Sequence, residues 1–503
     1  MALGFGATNV VLVRAMGIDG SGLGASEATT TVANAPVLPP ALADAGPDPA
    51  TTTGFDLVLA NGRVIDPESG FDGVTDVGII GTTIAAIGPG LSGATMVDVS
   101  GQVVAPGFID ILSAEPEAFG AWFKVADGVT TNLAMHGVNN YANAFFRRYE
   151  GTTPVHFGGA WHHHFIRGHD AQVGAVLPGD SLTPEQIAEF AALTAFNLDN
   201  GLAGICFSPE YSPGTTYGEM LALSEVAQSR GHGLFFHVRH SDPDEPGTSF
   251  EAIEEVLQLA RDTGASVHIE HIASTGGTFV MAETIAMIEA ARDEGLDVTA
   301  DVYPYDFWGT TLASYRFAGN WQERYRIDYE DLQVAGTSRL LSAASFADAQ
   351  RENLLVAALG SIPSDDVILA LQQPWVMVGS DAILTESLNN HPRACGTFAR
   401  LLGHYVRDLD VLDLVSALAK ITIQPAQRVE NMIPDMRRKG RLQRGADADI
   451  TVFDPATIID QATVETPAAM STGISQVFVE GTRVMVDGVL QRDALPGRPL
   501  RSG

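Results

Sequence analysis

From Phe55 onward, apolar and polar positions alternate in short runs. Asp56 to Ala60 and Arg63 to Asp66 predict two strands joined by an Asn61-Gly62 turn. Val77 to Ile80 and Ile84 to Gly88 extend a small sheet. The other end of the chain has the same texture, with Ala448 to Pro455 as one strand and Val477 to Gly488 as a hairpin. Two β-rich ends around a long middle predict that the terminal segments co-fold into a small β-sandwich, over residues 55–104 and 430–503.

The middle, residues 105–429, alternates buried-type apolar runs with helical stretches. The runs are Phe108 to Ile111, Val129 to Met135, Val155 to Phe157, Leu202 to Phe207, Leu234 to Val238, Val267 to His271, Val298 to Val302 and Val376 to Asp381. Helices are predicted from Pro184 to Asn197 behind a Thr183 cap, from Thr248 to Thr263, and from Ala282 to Gly295. Eight strands with intervening helices predict a (β/α)8 TIM-like barrel. The competing doubly wound sheet would need a Gly-rich phosphate turn after its first strand, and the sequence has none there. Residues 1–54 differ in texture. They are Ala-, Gly-, Thr- and Pro-rich with Arg14 as the single basic residue, and predict a disordered extension or linker, with an export-signal remnant as the alternative.

Composition narrows the function. The chain of 503 residues carries 61 acidic and 29 basic residues, a formal net charge of -32, which repels nucleic acid and anionic lipid. No apolar run is long enough for a membrane helix. Two cysteines, Cys206 and Cys395, make neither a disulfide framework nor a cysteine-rich metal knuckle. The expected setting is cytoplasmic, or exported if the extension is a signal remnant. The expected partner is a small molecule bearing a carboxylate, and a homo-oligomer is compatible with the sequence.

The chemistry lies at strand ends, because barrel active sites form at the carboxyl ends of the strands. Three runs end in histidine, at His136, His237 and His271, and the last ends at Asp381. Three imidazoles and a carboxylate suit zinc. His237 and His271 are one βαβ step apart, so their side chains can meet above adjacent strands. Asp381 could take a proton from an activated water and pass it to a leaving nitrogen.

These residues, together with Ala105-Pro106-Gly107-Phe108-Ile109-Asp110, Gly128-Val129-Thr130-Thr131, Asp301-Val302-Tyr303-Pro304-Tyr305, Gly379-Ser380-Asp381, His391-Pro392-Arg393 and Gly445 to Asp449, resemble the amidohydrolase superfamily, and within it the N-acyl-D-amino-acid deacylases. The resemblance covers Phe55 to Arg498. It implies hydrolysis of an amide C–N bond by a metal-activated water, with His237 and His271 as metal ligands and Asp381 as the acid/base. His136 stands where the deacylases use a cysteine ligand. Arg393 resembles the arginine that grips a substrate carboxylate, and Tyr303, Thr310 and His163 resemble substrate-contacting positions.

Two positions depart from the family pattern. The His-x-His expected after Asp110 is replaced by Leu112-Ser113-Ala114, and the His-Lys expected after His271 is replaced by Ile272-Ala273. The chain has three lysines, Lys124, Lys420 and Lys439, none at a middle strand end where a carboxylated lysine could bridge two ions. One zinc ion is therefore expected. Hydrolysis of a cyclic amide or lactone, and a degenerate barrel that only binds ligands, remain as alternative readings.

Overall fold

The computed structural model describes residues 53–503 except Glu245. The expected extension therefore lies outside the described residues but for Thr53 and Gly54, which already belong to a strand. All eight strands of the middle form. They are Phe108–Asp110, Val129–Val138, His156–His162, Gly204–Phe207, Gly233–Phe236, Val267–Ile269, Val298–Val302 and Val376–Val378. Each pairs in parallel with its neighbour in chain order. Their side chains are almost wholly buried, as strands covered on both faces must be.

The helices between them start where the sequence places them. Thr183 caps Pro184–Asp199 through a capping box with Gln186, and Thr248 caps Ser249–Thr263 through one with Glu251. Gly264 ends the second of these in the left-handed region, at φ 69°. The third predicted helix is Met281–Asp293.

The ladder leaves a seam between the first and eighth strands, and specific groups close it. Asp110 accepts from the Ser380 amide at 3.0 Å and from its hydroxyl at 2.6 Å. Lys124 reaches into the seam, donating to Asp110 at 2.6 Å, to Ser380 Oγ at 2.7 Å and to the Ala382 carbonyl at 2.7 Å. The Asp381 amide donates to the Leu112 carbonyl at 2.7 Å. Lys124 thus makes a buried ion pair, and the other two lysines are buried as well.

The chain ends meet in one nine-stranded sheet. Val103–Pro106 pairs antiparallel with Ile450–Phe453, which joins the N-terminal strands to Ile474–Val479, Thr482–Val486 and Val489–Leu490. One sequence expectation is corrected here. Asn61-Gly62 is not a hairpin turn. Thr53–Asp66 is a single strand, and its register against Phe71–Ile80 shifts between Leu59 and Gly62. Asn61 takes φ 64° and its amide donates to Asp76, so the Asn-Gly pair makes a bulge rather than a reversal. A Cβ at Gly62 would lie 2.5 Å from Val104 Cγ2, so the close approach of the neighbouring strand requires glycine there.

Between the seventh and eighth barrel strands the chain inserts a three-stranded antiparallel sheet of Trp308–Thr311, Leu332–Val334 and Leu355–Ala358. This insertion carries Thr310, Arg316 and Tyr325 towards the strand ends, and its short strands gave no clear periodicity in the sequence.

Candidate active site

Three side chains from three strands converge at the carboxyl end of the barrel. A ligand nitrogen from each of His136, His237 and His271 lies within 4.8 Å of the others. His237 Nδ1 and His271 Nε2 are 3.1 Å apart. The Asp381 carboxylate is 4.0 Å from His271 Nε2. His271 and Asp381 both take positive φ, 32° and 53°. Side chains that size rarely adopt this conformation, and such strain collects at functional sites.

Which nitrogen each ring offers follows from its other partner. His237 Nε2 is 2.5 Å from Glu210 Oε2. Burial opposes charge on Glu210, but Arg316 and His237 outweigh it and push the carboxyl down to about 2. An ionised carboxylate only accepts, so His237 donates from Nε2 and keeps the Nδ1 lone pair free. His136 Nδ1 is 2.6 Å from Glu270 Oε2, which leaves Nε2. Burial opposes its protonation, yet Glu270, Asp381 and Asp301 lift the imidazole to about 9, so a cation must displace one proton there. His271 Nδ1 faces the Thr275 hydroxyl at 3.3 Å, which leaves Nε2 towards His237. Burial holds His237 and His271 below the usual imidazole range, in the neutral form that ligates. Three lone pairs therefore face one point, and this donor set fits a zinc-class ion.

Glu210 is itself fixed, accepting from Ser241 Oγ at 2.7 Å and Tyr325 at 3.0 Å, with Arg316 Nε at 3.3 Å. Carboxylates that orient ligand histidines contribute to metal affinity. Glu210→Gln is expected to weaken metal binding about 10- to 100-fold in competition with a chelator. Wild-type affinity would remove this role.

Asp381 is held from the other side. Arg393 Nη2 donates to its Oδ2 at 2.7 Å, and the guanidinium stacks 3.6 Å over the Tyr303 ring. Arg393 is wholly buried, and its Nη1 is spent on the Phe307 carbonyl at 3.3 Å. Burial opposes ionisation of Asp381, but His271 and Arg393 keep its carboxyl below the usual range. Asp301, the rival acid, is occupied by the His271 amide at 2.9 Å and by His268 Nε2 at 2.8 Å. Burial pushes its carboxyl well above the usual range.

The remaining expected contacts divide. Tyr303 lies beside His271, with ring centroids 6.0 Å apart. Thr310 lies on the insertion, partly exposed. His163 does not join the site. Its Nε2 bonds Glu219 at 2.8 Å, and its ring packs between Phe190 and Phe207. The third strand ends at His162 and a helix begins at His163, so His162 turns to the site instead, 5.9 Å from the His136 ring. Sequence reasoning left Glu270, Cys206 and Arg316 out of the site. Strict alternation would send Glu270 and His271 to opposite faces, but the positive φ at His271 breaks the strand there.

Comparison with known proteins identifies the family and the fold. Residues 222–485 match the model of the Amidohydrolase family. The N-acyl-D-glutamate deacylase of Alcaligenes xylosoxydans xylosoxydans is 32% identical over 493 residues, covering 89% of this chain and 96% of that one. The D-aminoacylase of the same organism is 32% identical over 474 residues, covering 86% and 94%. The crystal structure of N-acyl-D-glutamate deacylase from Bordetella bronchiseptica, complexed with zinc and a phosphonate mimic of the tetrahedral intermediate, superposes with a TM-score of 0.75 at 26% identity. It covers 89% of this chain and all of that one. The three-histidine site at the mouth of an eight-stranded barrel, with Asp381 beside it, thus sits in a chain that belongs to the amidohydrolase family, in the group that contains the D-aminoacylases.

Proposed function

We propose that the protein hydrolyses the amide bond of an N-acyl amino acid, with the D configuration preferred, at one catalytic zinc-class ion held by His136, His237 and His271. The observation that carries this reading is the convergence of three histidine lone pairs beside an ionised Asp381. The relatives that act on N-acyl-D-amino acids support the substrate class. When bound, the ion would polarise the scissile carbonyl and make a water more acidic.

The protein's own groups do the rest. Asp381 accepts the proton that the attacking water loses and returns it to the leaving nitrogen, because an amine leaves poorly until protonated. Arg393 keeps that carboxylate ionised and aimed, and Tyr303 fixes the guanidinium plane beneath it. Among the described residues no helix is long and apolar enough to cross a membrane.

The test is a paired panel of N-acetyl-D- and N-acetyl-L-amino acids, assayed on metal-loaded and chelator-stripped protein. D-selective release of the free amino acid, lost on stripping and restored by zinc, is expected. Turnover confined to cyclic amides would move the substrate class elsewhere.

The structure gives Arg393 a sharper test than a carboxylate grip alone. Its Nη2 is engaged with Asp381 and its Nη1 with the Phe307 carbonyl, so a substrate carboxylate would have to compete for it. Arg393→Lys supplies a point charge that does not reproduce the fork. It is expected to lower kcat as well as raise KM, at least about tenfold in kcat/KM. A rise in KM with kcat unchanged would assign the arginine to substrate binding only.

A further inference from the structure

At the barrel mouth, Cys206 and one oxygen of Glu270 have no part in the chemistry above. Cys206 is the last residue but one of the fourth strand and is fully buried. Its Sγ lies 3.7 Å from Ser208 Oγ and 4.0 Å from the Phe207 carbonyl, and its thiol also interacts with the Glu270 carboxylate. Glu270 is also fully buried. Its Oε2 bonds His136 Nδ1, but its Oε1 has no hydrogen-bond partner. A buried carboxylate oxygen without a partner is costly, and a cation removes that cost. One donor atom from each of Cys206, Glu270 and His136 lies within 4.8 Å of the others.

We propose that Cys206, Glu270 and the Nδ1 edge of His136 form a second position for a divalent ion of the zinc class. It goes beyond the catalytic reading, which uses the other nitrogen of the same ring. Donors bonded to zinc at about 2.0–2.3 Å stand roughly 3.3–3.8 Å apart in a tetrahedral shell, so these three close on an ion by small side-chain rotations. Thiolate, imidazole and carboxylate together select a borderline-soft metal over magnesium or calcium. Thiolate and carboxylate offset the two positive charges of this ion, and the negative charge of the imidazolate left by deprotonation of Nδ1 is shared with the first ion. Binding replaces the His136–Glu270 hydrogen bond with two metal–ligand bonds. It releases two protons to solvent, one from the thiol and one from Nδ1. The chain lacks the histidine pair after Asp110, with Leu112 and Ala114 in those places. The second ion would instead sit on the fourth and sixth strands, bridged to the first through His136.

Cobalt(II) titration of metal-stripped, full-length protein tests this, because thiolate ligation gives a near-ultraviolet charge-transfer band that imidazole ligation does not. Two equivalents are expected, with the band growing during the second. Cys206→Ser should lose the band and the second equivalent while keeping the visible d–d absorption of the first. Glu270→Gln should weaken the second equivalent at least about tenfold. If Cys206→Ser fails to fold, the wild-type spectrum decides alone. One equivalent bound with d–d absorption and no charge-transfer band overturns the second position and leaves the three-histidine site standing. Failure to bind any cobalt overturns both.

Discussion

Asp381→Asn is expected to give folded, metal-binding protein whose kcat falls at least about a hundredfold, the scale of lost general acid–base catalysis. Asparagine keeps the size of the side chain and an oxygen for the Arg393 donor, so the expected loss is chemical. The carboxylate is 4.0 Å from His271 Nε2 and 2.7 Å from Arg393 Nη2, which places it between the proposed ion and a fixed cation. It follows the end of the eighth strand, where its own amide is tied across the seam to the Leu112 carbonyl just beyond the first strand. Asp301 is less suited to the role, because both its oxygens are already engaged by the His271 amide and His268. The check is a comparison of kcat with metal content measured on the same samples. Near-normal turnover with metal bound would place the proton shuttle outside Asp381 and make Asp301 the next residue to change.

The barrel was legible because its strands are covered on both faces, so each of the eight reads as a short apolar run. His136, His237, His271 and Asp381 were legible for the same reason, as polar groups at the ends of those runs. What the sequence concealed depends on turns. Asn61-Gly62 carries the signal of a hairpin, yet the chain continues through it as a bulge, with Gly62 packed close against Val104 and Val99. Glu270 was hidden by the alternation rule, which holds only while the strand is regular. Arg316 was hidden because it reaches the site from an insertion whose strands are three or four residues long. His163 was overvalued for the opposite reason. In a run of three histidines, the strand-to-helix boundary decides which ring faces the site, and that boundary falls between His162 and His163. The burial of Lys124 was hidden too, because it follows from partners 14 and 256 residues away across the barrel seam.

That seam carries the second large expected effect, on stability rather than on chemistry. Lys124→Met should destabilise the protein by about 3–5 kcal/mol, because it leaves the Asp110 carboxylate buried without its cation. Asp110 and Lys124 are 0% and 1% exposed, so water cannot compensate for the lost charge. The damage should also reach the active site. Asp110 fixes Ser380, and Ser380 precedes Asp381, so loosening the seam moves the proposed proton shuttle. Adding Asp110→Asn removes the stranded charge while keeping an oxygen for the Ser380 amide. The double variant should recover more than half of the lost stability, since replacing both members of a buried pair costs far less than removing one. Urea unfolding of the single and double variants gives both numbers, and the difference between them isolates the stranded charge. A Lys124→Met protein as stable as the wild type would mean that the hydrogen bonds from Ser380 alone hold Asp110 and the seam, and that the lysine is dispensable.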